Sequence, residues 1–376
     1  MKLAVIGRGL IGSAAARHLS GSGYDVTLVG PSEPSDYQTH SGVFASHYDE
    51  GRITRGLDPY PFWSKVSRAS IARYREIEAQ SGIGFYSEVG ILMAGPKGSA
   101  PISSVVDVAK TAGIAFEQLD QAGLKLRFPY FAFEDDVLGV FEAVNAGHIS
   151  PRRLVQAQTT CARQNGAVVV DAVVEGLSEG SDHVSLVTSC GDMRFDRVLV
   201  ATGGFSEALL GERSPLTPYA RTVAMFRISE AEGHRLAGMP SHIALLPTGE
   251  DPYLLPPIRY PDGHLYLKLG GDPEDIALPT TGDVCEWFRS GGSEAVGERL
   301  EAQIRVKIPG LEILERVIKP CVTTYTPDNH PDIRALSGRV AIAAGGCGRA
   351  AKNSDELGRL GGEVLLGRAQ SVRLLT

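Results

Sequence analysis

Three glycine-bearing turns carry the most informative spacing in this 376-residue chain. The first is Gly7-x-Gly9-x-x-Gly12, which follows the apolar run Leu3–Ile6 and precedes the alanine-rich stretch from Ser13 to Leu19. Gly7 permits a sharp turn off the strand, Gly9 lets backbone approach a pyrophosphate, and Gly12 lets the helix pack closely on the strand. The helix N-terminus then offers free N–H groups and a positive dipole end to phosphate. A lone GxGxxG is a weak signal. Placed between a strand and a helix, it reads as a dinucleotide fingerprint. The following strand should end in Asp or Glu to hold the adenosine ribose. That position is Gly30, with Ser32 or Glu33 as substitutes from the next loop, and no nearby arginine marks a 2′-phosphate site. The second and third turns end the apolar runs Val198–Thr202 and Ala341–Ala344, at Gly203-Gly204 and Gly345-Gly346. Three such turns in this order favour FAD over NAD, with Thr202, Gly203 and Gly346 on the cofactor.

The elements that must position these turns follow from periodicity. A strand, turn, helix and strand over the first thirty residues form a βαβ opening. Residues 61–82 have helical spacing, and Ser150-Pro151 starts a helix over 151–165 with a cap and a first-turn proline. Ala167–Val170 and Arg197–Ala201 are β-rich runs flanking a hairpin. Residues 216–324 carry many short strands and turn signals, as in a mostly antiparallel sheet. A last helix is expected over 354–366. The fold class is therefore α/β with an α+β insert. A discontinuous Rossmann-like cofactor domain (residues 1–83, 150–215 and 325–376) is interleaved with a mostly antiparallel substrate domain (84–149 and 216–324).

Bulk properties narrow the function classes. The net charge of −7 comes from interspersed acids and bases, which gives no invitation to nucleic acid or an anionic membrane. Five scattered cysteines without CxxC spacing argue against a disulfide framework or a metal site. No apolar stretch approaches the ~20 residues of a membrane span. Met1 runs almost directly into a strand, leaving no room for a signal peptide. A cytoplasmic protein, monomeric or a small homo-oligomer, is expected.

Beyond these motifs, the whole chain resembles the monomeric sarcosine oxidase and N-methyltryptophan oxidase family, among the D-amino-acid-oxidase-like flavoproteins. The segments that carry the likeness are Ser46–Arg55, Gly95–Gly98, Tyr266–Gly270, Ile308–Gly310, Cys321–Asp328 and Ala344–Lys352. The resemblance implies that Cys321 links covalently to the flavin; the alternative is a buried, unlinked cysteine. It places Arg52 and Arg55 beside the flavin, on one face if the segment is helical. Arg55 and Lys352 would clamp the substrate carboxylate, by a guanidinium fork and a point charge; a solvated pair is the plainer reading of the arginines. Lys268 would be the cation assisting oxygen, or else a strand lysine facing water. Val170, Gly348 and Lys352 complete the expected cofactor contacts.

The chain also departs from the family pattern. Tyr48 and Asp272 stand where active-site histidines are expected, and Thr323 and Leu254 where tyrosines are. Asp272 pairs with a cationic substrate, accepts a proton or merely satisfies a loop. Sarcosine itself is therefore doubtful as substrate. The implied reaction is oxidation of an N-alkyl or cyclic amino acid to an imine, by hydride transfer to flavin N5, with dioxygen reduced to hydrogen peroxide. The rivals are a dehydrogenase delivering electrons to a quinone or carrier protein, and a flavin-binding subunit without turnover.

Overall fold

The computed structural model describes residues 1–372. Its first sheet has six strands in the order Asp332–Ala335, Val340–Ala344, Arg197–Val200, Lys2–Ile6, Asp25–Val29 and Val168–Val170. All neighbours are parallel except the pair formed by Asp332–Ala335 and Val340–Ala344. The three middle strands are almost wholly buried and apolar, as expected of parallel strands covered on both faces. Chain segments far apart in sequence thus meet side by side, and the three glycine turns leave the same sheet.

The second sheet has nine strands. It is antiparallel apart from the pairing of Ser241–Ala244 with Ile91–Ala94. Its longest strands, Thr217–Ile228 and Glu315–Tyr325, pair along nearly their full length. A small sheet of Arg52–Thr54, Gly147–Ile149 and Tyr86–Ser87 joins the loops around the site.

Several local expectations hold with shifted ends. The helix begun by Ser150-Pro151 spans Pro151–Gln164, and the Ser150 hydroxyl accepts the Arg153 N–H. The 61–82 stretch divides into helices Pro61–Ile71 and Tyr74–Ser81. The expected hairpin is a three-stranded unit, Val174–Glu179, Val184–Thr188 and Met193–Phe195. Within the region read as sheet lie two helices, Thr281–Ser290 and Glu294–Lys307. Their signal was the caps. Thr280 and Asp283 form a capping box, and the Ser293 side chain caps the second helix. The last helix is Ala350–Leu365, four residues earlier than its expected start, which brings Lys352 into its first turn.

That helix is tied down by one carboxylate. Asp355 is fully buried and accepts from Arg17 Nη2 at 2.7 Å, Arg73 Nε at 2.5 Å and Gln158 Nε2 at 2.9 Å. His18 lies 3.1 Å away. Four parts of the chain are cross-linked by one ion, and these donors hold its carboxyl well below the usual range despite burial. Packing around it is close: a Cβ on Gly358 would meet Ala14 Cβ at 2.7 Å. Removing one partner of a buried ion cluster leaves charge uncompensated and typically costs about 3–5 kcal/mol. Asp355→Ala should lower the urea-unfolding free energy by that amount; a loss under ~1 kcal/mol would show the cluster to be dispensable.

Candidate active site

The strand Glu315–Tyr325 runs between two cavities, and the period of two along it decides what each receives. Val322 and Thr324 line one cavity. Cys321, Thr323 and Tyr325 line the other.

The first cavity is narrow and formed by the glycine turns. Gly7, Gly9, Thr202, Gly203 and Gly346 all line it. Gly7 has φ +107°, open to glycine, and a side chain there would strike the Ala201 carbonyl. A Cβ on Gly12 would collide with the Gly7 carbonyl, so Gly12 serves the strand–helix contact and does not line the cavity. Gly9 meets nothing within 4 Å on that side, and it opens the helix Leu10–Gly21 without a side-chain cap. The helix N–H groups are therefore left for a ligand. Gly30 has a steric cause: its Cβ would lie 2.5 Å from the Arg8 backbone nitrogen. Of the two substitutes, Glu33 is taken by Arg152 and Tyr37, at 2.7–2.8 Å. Ser32 instead binds Asp171, through its backbone N–H at 3.1 Å and its hydroxyl. His47 lines this cavity with a buried Nδ1 that has no partner among the described residues, and burial pushes its pKa down to about 4, so the ring is neutral. The phosphate-binding turn, the open helix end and the unpaired imidazole nitrogen fit an elongated nucleotide such as FAD.

The second cavity, of 570 Å³, receives the charged residues. Arg52, Arg55, Cys321, Gly348, Lys352 and Asp272 all line it. Its electrostatic centre is a residue the sequence reading passed over, Asp58, which is fully buried. Asp58 accepts from Lys352 Nζ at 2.9 Å and Arg55 Nη2 at 3.4 Å, with Arg349 Nε at 3.9 Å. Three cations thus gather around one carboxylate, in a cavity that Asp251 also lines. Among the described residues, Arg55 Nε is buried without a partner, as is Thr323 Oγ1 in the same wall. Burial pushes Lys352 down to about 7, more than Asp58 can offset. A second overlooked acid, Glu142, accepts from the backbone of Gly56 and Leu57 and so fixes the turn behind Arg55; burial raises it to about 7.

Some expected placements change. Arg52 and Arg55 do not lie on a helix: Arg52–Thr54 is a strand, because its backbone pairs with Gly147–Ile149, and both arginines reach the cavity wall from it and the turn beyond. Val170 is not on the cofactor cavity. Its carbonyl accepts the Gly30 N–H at 3.0 Å, and Ala172–Val174 line the cavity instead. Tyr48 lines the first cavity, packed among Phe44, Phe205 and Val322, and is not with the clamp residues. Leu254 faces the core, while its neighbour Tyr253 supplies an aromatic wall, so the tyrosine is one position earlier than expected. Asp272 has its carboxylate engaged by the N–H groups of Thr222 and Glu274 at 3.0 and 3.1 Å and by Arg299 at 3.5 Å. Of the readings open for it, loop satisfaction matches these bonds.

Lys268 does not face water. It is fully buried and donates to Asp49 and to the Gly51 carbonyl, the latter at 2.7 Å. Arg52 shares Asp49 and lies 3.5 Å from Cys321 Sγ. Cys321 is half-buried on the cavity wall, which leaves its sulfur accessible from that side.

Comparison with known proteins agrees with this geometry. The chain matches the family model described as FAD dependent oxidoreductase over residues 2–363. It is 27% identical to monomeric sarcosine oxidase from Arthrobacter sp. (strain TE1826), covering 94% of this chain and 89% of that one. It is 24% identical to N-methyl-L-tryptophan oxidase from Citrobacter koseri, covering 99% and 96%. Among solved structures it superposes on NikD, an unusual amino acid oxidase essential for nikkomycin biosynthesis, with TM-score 0.77, 19% identity and 98% and 94% coverage. L-proline dehydrogenase from P. horikoshii gives TM-score 0.75 at 17% identity, with the same coverage. The interleaved sheets, the glycine-built nucleotide cavity and a family match across nearly the whole chain lead to one assignment: the protein belongs to the FAD dependent oxidoreductase family.

Proposed function

We propose that the protein oxidises a secondary or cyclic amine bearing a carboxylate, with FAD attached through Cys321 and dioxygen as final electron acceptor. The observation that carries this reading is the buried, unpartnered Nε of Arg55 beside Lys352, in the cavity that Cys321 also lines. A carboxylate is the ligand whose two oxygens satisfy a guanidinium edge and an ammonium together. The relatives named for sarcosine and N-methyl-L-tryptophan act on amines of this kind by their names. When bound, FAD supplies the two-electron acceptor; the protein supplies position and charge.

Each residue then has a task. The first-turn helix N–H groups and Gly9 take the pyrophosphate. Ser32 and Asp171, which are already hydrogen-bonded to each other, hold the ribose in place of the missing acid at Gly30. Arg55 and Lys352 fix the carboxylate, so that the C–H next to nitrogen has one orientation. Tyr253 and Tyr325 wall the side chain. Asp272 holds its loop through backbone bonds, and Tyr48 shapes the nucleotide channel. Lys268 places a cation behind Arg52, where it favours charge developing on dioxygen. One observation favours a second reading, transfer of electrons to a quinone or carrier protein: the Lys268 ammonium is already paired with Asp49. Hydrogen peroxide formed in air, about one per amine oxidised, supports the oxidase; rapid dye reduction with no peroxide supports the alternative.

Acid-precipitated protein should remain yellow, and Cys321→Ala should release the colour to the supernatant. Retention in that variant would move the link, with Cys347 the other thiol on the cavity. Lys352→Met should raise the dissociation constant of a carboxylate inhibitor by roughly 10–100-fold, the range of a lost charge-assisted hydrogen bond. A pH dependence follows from the same lysine. Its pKa of about 7 in the free protein means that it is charged below that pH and loses its proton above it. A bound carboxylate favours the charged form, so binding takes up a proton at higher pH. Affinity should fall by up to about tenfold per pH unit above 7, and Lys352→Met should flatten the profile. An unchanged slope in the variant would assign the titration elsewhere.

A further inference from the structure

Asp49 is a hub that neither the glycine motifs nor the clamp explains. It is 7% exposed and does not itself line the second cavity, but it contacts Arg52, which does. One oxygen accepts the Glu50 N–H at 2.8 Å and the Tyr260 hydroxyl at 2.9 Å. The other accepts from both Lys268 Nζ and Arg52 Nη1. Lys268 has one further acceptor, the Gly51 carbonyl. The carboxylate thus gathers two cations against the wall that carries Cys321, and the group of three bears a net charge of about +1 by simple valence counting.

We propose that Asp49 is a positioning residue that keeps Lys268 charged and sets the positive potential this wall presents to the flavin. The inference rests on the reading of the second cavity as the flavin-facing site. Its physical basis is the cost of an ammonium in a dry interior. Burial and the neighbouring Arg52 guanidinium push Lys268 well below the ordinary lysine range. The other groups facing it give little relief. Lys319 is a further cation, Cys321 lies on the strand beyond Thr217–Ile228, and the Tyr253 ring centroid is 5.8 Å from Nζ. Burial pushes the Tyr253 and Tyr260 phenols up, so neither titrates near neutrality. Among the described residues, Asp49 is the one carboxylate in contact with the ammonium.

The test uses flavin-loaded protein and equilibrium readouts, not turnover. In Asp49→Asn the group carries about +2 while Lys268 is protonated and about +1 once it is not. At the acid end of a pH series, where Lys268 is protonated, the flavin midpoint potential should therefore rise relative to the parent protein. A tenfold change in the reduction equilibrium corresponds to about 30 mV for a two-electron couple. The difference should shrink as pH rises and Lys268 gives up its proton, which it does at lower pH in the variant than in the parent protein. Sulfite, an anionic probe of the flavin, should bind about tenfold tighter at the lower pH, following the same potential. Asp49→Glu should keep the parental profile, and adding Lys268→Met to Asp49→Asn should abolish the pH-dependent difference. Asp49→Ser serves as the neutral replacement if Asp49→Asn does not fold. The inference is overturned if Asp49→Asn follows the parent at every pH and Lys268→Met, with Asp49 intact, does so too, because Lys268 would then carry no charge for Asp49 to hold. Protein that takes up no flavin overturns the proposed function instead, so the two failures are distinct.

Discussion

The alternation of side chains along Glu315–Tyr325 is the constraint on which the site depends. A strand sends neighbouring residues to opposite faces, so one strand serves two cavities without mixing their chemistry. Val322 and Thr324 complete the apolar nucleotide channel, while Cys321, Thr323 and Tyr325 complete the charged cavity. A slip of one residue in the pairing with Thr217–Ile228 would send the thiol to the nucleotide side. The long unbroken ladder between these two strands prevents that slip.

Charge in the second cavity follows a common plan. Two buried carboxylates, Asp58 and Asp49, each gather cations from separate chain segments. Each carboxylate meets more than one cation, so the cations that face a ligand are held in place from behind. The acids cost desolvation, which their partners offset. They also hold long, flexible side chains in one geometry before a ligand arrives, which reduces the ordering required on binding.

Much of this was legible in the sequence where a residue type has a local cause. Gly7, Gly9 and Gly12 are readable because backbone shape requires them, and Ser150-Pro151 because helix starts have a chemistry of their own. Cys321, Arg55, Lys268 and Lys352 were picked out by family resemblance, since nothing local marks them. Asp58 and Asp49 were missed: an acid becomes a hub only through partners far away in the chain, at positions 352 and 268. The condition set for Arg52 and Arg55, one face if the segment is helical, is not met, because strand pairing with residues 147–149 decides a spacing that alone is compatible with either form. Tyr253 was displaced by one position because alternation fixes a face only when the register is known. Helices Thr281–Ser290 and Glu294–Lys307 were obscured by the turn residues around them, though their caps were present.

The C-terminal helix Ala350–Leu365 unites several duties in a few turns. Lys352 reaches the ligand cavity, Asp355 cross-ties the fold, and Leu357, Leu360 and Val364 enter the core beside the parallel sheet. Such crowding makes this segment a poor place to alter selectivity, because a change made for recognition there also disturbs folding. Tyr253 and Thr323, borne on antiparallel strands away from that helix, offer evolution and the protein engineer an independent dial. Diversity among descendants of this scaffold should accumulate on that sheet face, while the terminal helix stays comparatively fixed.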